Sequence, residues 1–256
     1  MPAPIAVQLY TLRDVIGTDP GPAFDRLGAK GFAGVESAGL YGLEPAAYAK
    51  RLADAGLRLC SAHVGIDTRD DAWTDTWSAD IDAHQQAGTD TVVVPMLFPN
   101  HFADADAVAR SAELLNRANE IAKARGLTVG YHNHFWEFGD IDGRPALAAL
   151  FERCDPDIVA EIDIYWTKVG GVDPVDFVAG LGSRVRLLHV KDGPADTHES
   201  DMVAVGSGAV PVADVLAAND HVAWHIVELD RCASDMFEAV EASHDFLVGN
   251  GLSAGR

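Results

Sequence analysis

The sequence predicts a single (β/α)₈ barrel, an α/β fold, over residues 1–256. Three observations lead there. Eight short apolar runs can be counted, a helix-like stretch follows each of them, and the length of 256 residues is near that of one such barrel. The runs are Ile5–Tyr10, Ala33–Glu36, Leu57–Ala62, Thr91–Val94, Leu127–Tyr131, Ile158–Asp163, Val185–Val190 and Ala223–Glu228. They are β-branched and nearly continuous in apolarity, as strands covered on both faces must be.

The helix-like stretches are Pro22–Lys30, Pro45–Ala55, Asp80–Ala87, Asp106–Arg125, Pro145–Arg153, Pro174–Leu181, Val212–Ala218 and Ser234–Leu247. Several open on proline, whose missing N–H costs nothing in a first turn. Several stop at a glycine suited to capping: Gly31, Gly56, Gly88, Gly126 and Gly182. Strict alternation repeated eight times implies a closed barrel or a doubly wound sheet. No glycine-rich loop follows the first strand, which weakens the dinucleotide-binding alternative.

Composition narrows the function classes. A net charge of −20 repels nucleic-acid phosphate, so no nucleic-acid partner is expected. No apolar run is long enough for a membrane span, and Met1–Gln8 lacks the pattern of a secretory signal. Cys60, Cys154 and Cys232 are scattered, which suggests neither a disulfide framework nor a cysteine metal site and fits a reduced, cytoplasmic setting.

In such a barrel the chemistry lies at the carboxyl ends of the strands. Those ends carry Gln8, Tyr10 and Arg13, then Glu36, His63, Pro95-Met96, the segment Tyr131–Glu137, Glu161-Ile162-Asp163, His189-Val190-Lys191-Asp192 and Glu228-Leu229-Asp230. Glu137, Asp163, His189 and Glu228 come from neighbouring strands. Three carboxylates and an imidazole so placed could not all be ionised without a cation, because the like-charged carboxylates repel one another. A divalent metal resolves this. Oxygen ligation with a single nitrogen suits Mn²⁺ best or Mg²⁺, and admits Co²⁺, Fe²⁺ or Zn²⁺. His132 and His134 enrich the same segment, although either could equally be a satisfied core histidine.

The stretches Val7–Arg13, Gly34-Val35-Glu36, Ser61-Ala62-His63, Gly130–His134, Asp163–Trp166, His189–Asp192 and Gly206-Ser207-Gly208 together resemble the sugar phosphate isomerase/epimerase family with a xylose-isomerase-like barrel. That family also includes inosose dehydratases, 3-keto-sugar epimerases and endonuclease-IV-like proteins. The resemblance implies a Glu–Asp–His–Glu metal set, here Glu137, Asp163, His189 and Glu228. Many relatives carry the first glutamate at the very end of strand 5, where this chain has Tyr131-His132. The first ligand is therefore either Glu137 reaching back or a histidine of strand 5.

The same resemblance implies an isomerase or epimerase of a keto-sugar or polyol, working through an enediolate beside a metal-held carbonyl. The alternative is a lyase of the same family, an inosose-type dehydratase or a 3-keto-glycoside-cleaving enzyme. Glu137 and Glu228 are the expected acid/base pair, with His132, His134 and Lys191 moving protons or holding hydroxyls. Gln8, Glu36, His63 and Trp166 are the expected substrate contacts. An endonuclease-type phosphodiesterase is disfavoured, since it needs a basic face and extra ligand clusters. Gly206-Ser207-Gly208 reads as a turn rather than a phosphate cradle. A homo-oligomer is expected from exposed barrel helices and from Phe98 and Phe102, apolar residues expected to be exposed after strand 4.

Overall fold

Eight parallel strands pair edge to edge until the last meets the first, closing a barrel. They are β1 (Ile5–Gln8), β2 (Gly34–Ser37), β3 (Arg58–His63), β4 (Thr91–Val94), β5 (Thr128–His132), β6 (Val159–Asp163), β7 (Val185–Val190) and β8 (Trp224–Val227). The computed structural model describes residues 1–70 and 72–256. The expected (β/α)₈ barrel is thus present, and each apolar run supplies one strand.

The outer helices are α1 (Gly21–Lys30), α2 (Pro45–Asp54), α3 (Trp73–Gln86), α4 (Ala105–Lys123), α5 (Ala146–Arg153), α6 (Pro174–Leu181), α7 (Val212–Ala217) and α8 (Met236–Gly249). The rules that form them are visible in α4. Asp104 caps it by accepting the Ala107 N–H at 2.8 Å. Val108, Ala112, Leu115, Ala118 and Ala122 then form one buried stripe at helical spacing. All five glycines expected to stop helices take positive φ.

Helix α3 begins at Trp73, about two turns before the expected Asp80. Its opening Thr74-Asp75-Thr76 is polar, but Trp77, Ile81 and His84 share one buried face and carry the helix back. The expectation that Phe102 is exposed is also corrected. Phe98 is 57% exposed, whereas Phe102 is buried, with its ring centroid 6.3 Å from that of Tyr131. No helix among the described residues is long and apolar enough to cross a membrane.

The barrel foot is filled by Ala6, Cys60, Val93, Leu187 and Ile226, with Trp224 packed against them. The indole crosses the opening so closely that a Cβ on Gly34 would lie 3.0 Å from its ring, and the Arg58 guanidinium stacks on it at 4.4 Å. Pairing slips by one residue in two places. Val35 pairs with Leu59 but Glu36 with Ser61, and Ala160 pairs with Val185 but Glu161 with Leu187. The extra residues are Cys60 and Arg186.

Candidate metal centre

The carboxyl ends of β5 to β8 converge as parallel-strand geometry requires. Asp163 ends β6 and caps the short helix Ile164–Val169, its Oδ1 accepting the Trp166 N–H at 2.8 Å. That fixes the rotamer and leaves Oδ2 turned inward. Asn133 ties the ends of β5 and β6 together, since its Oδ1 accepts the Asp163 N–H at 3.1 Å. His132 Nδ1 contacts the Pro95 carbonyl at 3.0 Å. A carbonyl can only accept, so the proton sits on Nδ1 and Nε2 is left as an acceptor.

His132, Asp163, His189 and Glu228 each offer a ligand atom to one small region and are all buried. His132 Nε2 is 3.5 Å from Asp163 Oδ2. Both atoms are buried without a hydrogen-bond partner among the described residues. Lys191 Nζ lies 2.9 Å from Asp163 Oδ2, off the hydrogen-bonding direction. His189 Nδ1 is 2.7 Å from Glu228 Oε2. Two orphaned buried atoms facing each other in a mixed N/O set fit a divalent cation. The ligand set is then two imidazoles and two carboxylates.

Glu137 does not join it. It lies beyond β5 in a turn of 3₁₀ helix, fully buried. Its Oε1 accepts from the Tyr131 hydroxyl at 2.9 Å and its Oε2 from the His134 N–H at 3.0 Å. Burial pushes its carboxyl up to about 8, against those two bonds. The first position of the group is occupied by His132, one of the alternatives left open by the sequence.

A second group stands beside the first: Glu36, His63, Glu161 and His189. The expectation that extra ligand clusters are lacking is corrected here. Glu161, named among the strand ends, was given no role at the sequence level. Strand parity reveals it, because residues two apart face the same side and Asp163 faces inward. Glu36 accepts from Ser61 Oγ at 2.7 Å, Gln8 Nε2 at 2.6 Å and His189 Nε2 at 2.7 Å.

Charge binds the groups together. Burial pulls the His189 imidazole down, but Glu161, Glu228 and Glu36 outweigh it and hold it well above its ordinary range. Burial likewise opposes the Lys191 ammonium, which Asp163, Asp230 and Glu228 hold well above its usual value. Lys191 Nζ lies 2.6 Å from Asp230 and 2.7 Å from Glu228. Burial would raise Glu228, yet Lys191 and His189 keep it well below the usual carboxylate range.

A cavity of about 400 Å³ opens over the first group, lined by Tyr10, Ala38, His63, Pro95, Met96, His132, His134, Glu228 and Asp230. Of the expected site residues, His63, His132, His134 and Glu228 reach it. Gln8, Glu36, Trp166 and Lys191 are buried beneath or beside it, and Glu137 is turned away. His134 stacks on Trp136 at 4.4 Å, and its Nδ1 is buried without a partner among the described residues. Burial, then His132, hold its imidazole well below its ordinary value, so it is neutral. A larger cavity of about 610 Å³ lies at the foot, beside Cys60 and Trp224. It lies at the opposite end of the barrel from the 400 Å³ cavity, and barrel chemistry belongs to the carboxyl end.

Asp192 closes the loop after β7. Its carboxylate accepts the N–H groups of Gly193, Gly206, Gly208 and Val210. A Cβ on Gly208 would stand 2.2 Å from Asp192 Oδ1. The Gly206–Gly208 segment is therefore a turn with its backbone donors in use.

Among solved structures, the chain resembles a sugar phosphate isomerase/epimerase from Parabacteroides distasonis at 25% identity and a TM-score of 0.86, covering 99% of this chain and 96% of that one. It resembles an L-ribulose 3-epimerase at 17% identity and a TM-score of 0.70, covering 98% and 94%. A probable 3-DHS dehydratase from Bacillus anthracis is similar at 14% identity and a TM-score of 0.75, covering 97% and 99%. No curated protein matches the sequence. The family described as xylose isomerase-like TIM barrel matches residues 24–247, and together with the closed eight-stranded barrel this places the chain in that family.

Proposed function

We propose that this protein is a divalent-metal-dependent isomerase or epimerase of an uncharged keto-sugar or related polyol. One observation carries the reading: His132, Asp163, His189 and Glu228 form a ligand group directly beneath the 400 Å³ cavity. The similarity to a protein named a sugar phosphate isomerase/epimerase supports it.

His132, Asp163, His189 and Glu228 would hold the metal. Bound there, it would polarise a substrate carbonyl and ease loss of the neighbouring carbon-bound proton. Manganese stays the first candidate, and the second imidazole disfavours Mg²⁺ relative to Co²⁺, Fe²⁺ and Zn²⁺. His134, a neutral imidazole lining the cavity, takes and returns the proton. His63 and Asp230 meet hydroxyls, while Pro95, Met96 and Tyr10 exclude water on the opposite side.

The substrate is uncharged because the cations near the cavity are already engaged. Lys191 is shared by three carboxylates, and Arg13 is bound to the carbonyls of Tyr10 and Asp230. The turn at Gly206–Gly208 offers no free backbone donors to a phosphate.

A second reading, a lyase, is favoured by one specific finding. A two-sided carboxylate pair of Glu137 and Glu228 does not form, whereas His134 is a single group that, having taken the carbon-bound proton, can pass it to a departing hydroxyl or aglycone. Incubation with keto-sugars and Mn²⁺ in D₂O, followed by NMR, separates the readings. An isomerase or epimerase returns deuterated sugar with its oxygen count unchanged, and a lyase yields an unsaturated or deoxy-keto product. Turnover without label in any species would sink the shared proton-transfer step. Self-association is proposed as well, through the exposed Phe98, and light scattering at micromolar concentration tests it.

A further inference from the structure

Glu36, His63, Glu161 and His189 surround one point, a layer deeper in the barrel than the cavity floor. His189 Nε2 is 2.7 Å from Glu36 Oε2 and 3.3 Å from Glu161 Oε2. His63 Nε2 is 2.7 Å from the same Glu161 oxygen and 3.2 Å from the same Glu36 oxygen. Four ligand atoms about 2.0–2.2 Å from a tetrahedral zinc stand roughly 3.3 Å from one another. The observed spacings need little expansion to match.

Hydrogen bonding explains only part of this arrangement. The two Nε2 atoms carry at most one proton each, yet four close N···O contacts are present. Glu161 Oε1 is fully buried and has no donor among the described residues. The strand slips at Cys60 and Arg186 fall opposite Glu36 and Glu161, where an extra residue re-aims side chains.

Charge points the same way. Among the described residues, Glu36, Glu161, Asp163, Glu228 and Asp230 are gathered with a single lysine, Lys191, which pairs with the last three. Five carboxylates and one ammonium leave four negative charges in a largely buried region. With the imidazoles neutral, one divalent ion leaves two; a second, for which His189 gives up its last ring proton and becomes an anion, leaves one.

We propose that the barrel binds a second divalent ion, enclosed by Glu36, His63, Glu161 and His189. His189 then lies between the two ions, with Nδ1 toward the first and Nε2 toward the second, and both ring protons pass to solvent. Four protein ligands close the inner position, which suits Zn²⁺ in a supporting role. The outer position opens on the cavity. The competing account has one outer ion, with Glu36 merely orienting the His189 ring.

The test does not rest on the sugar reading. Chelated full-length protein is titrated with Zn²⁺, desalted and analysed for metal. Wild type should hold two equivalents. Glu161→Gln and His132→Gln should each hold one, because they remove different positions. An anomalous map of wild-type crystals at the zinc edge should show two peaks flanking His189, and it decides the matter if a variant does not fold. Saturation at one equivalent, a single peak, or full uptake by Glu161→Gln would overturn the proposal. Any of these leaves the reaction assignment to the deuterium experiment.

Discussion

The Tyr131 hydroxyl donates to Glu137 Oε1 at 2.9 Å, and the same hydroxyl oxygen accepts the Leu97 N–H at 3.2 Å. One buried carboxyl thus joins the loops after β4 and β5. Trp136 reinforces the join through its indole N–H on the Leu97 carbonyl at 3.0 Å. Glu137 is a clamp that positions His134, which a ligand or a base could not be from this place.

Glu137→Gln should therefore fold normally and keep its metal, since an amide can still accept from His134 and reach Tyr131. Glu137→Ala should lose about 1–3 kcal/mol, because it strands a buried hydroxyl and an N–H. Glu137 also carries a pH signature. Its carboxyl is raised to about 8 in the folded protein, so its stabilisation is present at low pH and fades as pH rises through that value. Melting temperatures of wild type should fall as pH rises from about 4.5 to about 8 and level off above that, and Glu137→Gln should flatten the slope. Loss of metal from Glu137→Gln, seen by elemental analysis, would restore it as a ligand.

Lys191→Met should destabilise the metal-free protein by about 3–5 kcal/mol, because Asp163, Glu228 and Asp230 lose their common partner inside the barrel. Added divalent cation should recover part of the loss. Denaturant unfolding with and without chelator measures both effects, and an unchanged midpoint in chelator would refute the assignment.

Metal uptake should release protons. Carboxylates hold the His189 imidazole well above its ordinary range, so in the metal-free protein it is protonated near neutral pH. A ligand imidazole must be unprotonated, so affinity falls as pH falls. Calorimetric titrations in buffers of different ionisation heat should give different apparent enthalpies. Identical enthalpies would mean that His189 is not displaced from its proton.

Gly34→Ala should cost about 1–3 kcal/mol by forcing a methyl against the Trp224 ring and the Arg58 carbonyl. The damage is confined to the foot, so metal content should match wild type. Thermal melting and elemental analysis on one preparation check both halves.

Much of this was legible in the sequence, for identifiable reasons. The strands announced themselves because burial on both faces demands unbroken apolar runs such as Val92-Val93-Val94. Asp163, His189 and Glu228 could be located because each ends or directly follows a strand. Glu137 misled because its distance from β5 depends on the turn after Asn133, and no periodicity reports where such a turn points. Glu161 was noted at the end of its strand but given no role, because only Asp163 was matched to the expected ligand set, although the residue two positions earlier faces the same way. Phe102 was hidden by its loop context: it lies in a 3₁₀ turn that folds back to bring it near Tyr131.

The slip at Cys60 has a consequence for how the barrel tolerates change in chain length. Below it, Arg58 and Cys60 line the cavities at the foot; above it, Ser61 and His63 turn toward Glu36. Regular alternation would present either the even-numbered set or the odd-numbered set to the interior, and the one extra residue lets β3 present both. Deleting Cys60 alone would force a choice between a sealed foot and an assembled centre, whereas a conservative replacement would preserve each. The information at this position is carried by the count of residues rather than by the thiol.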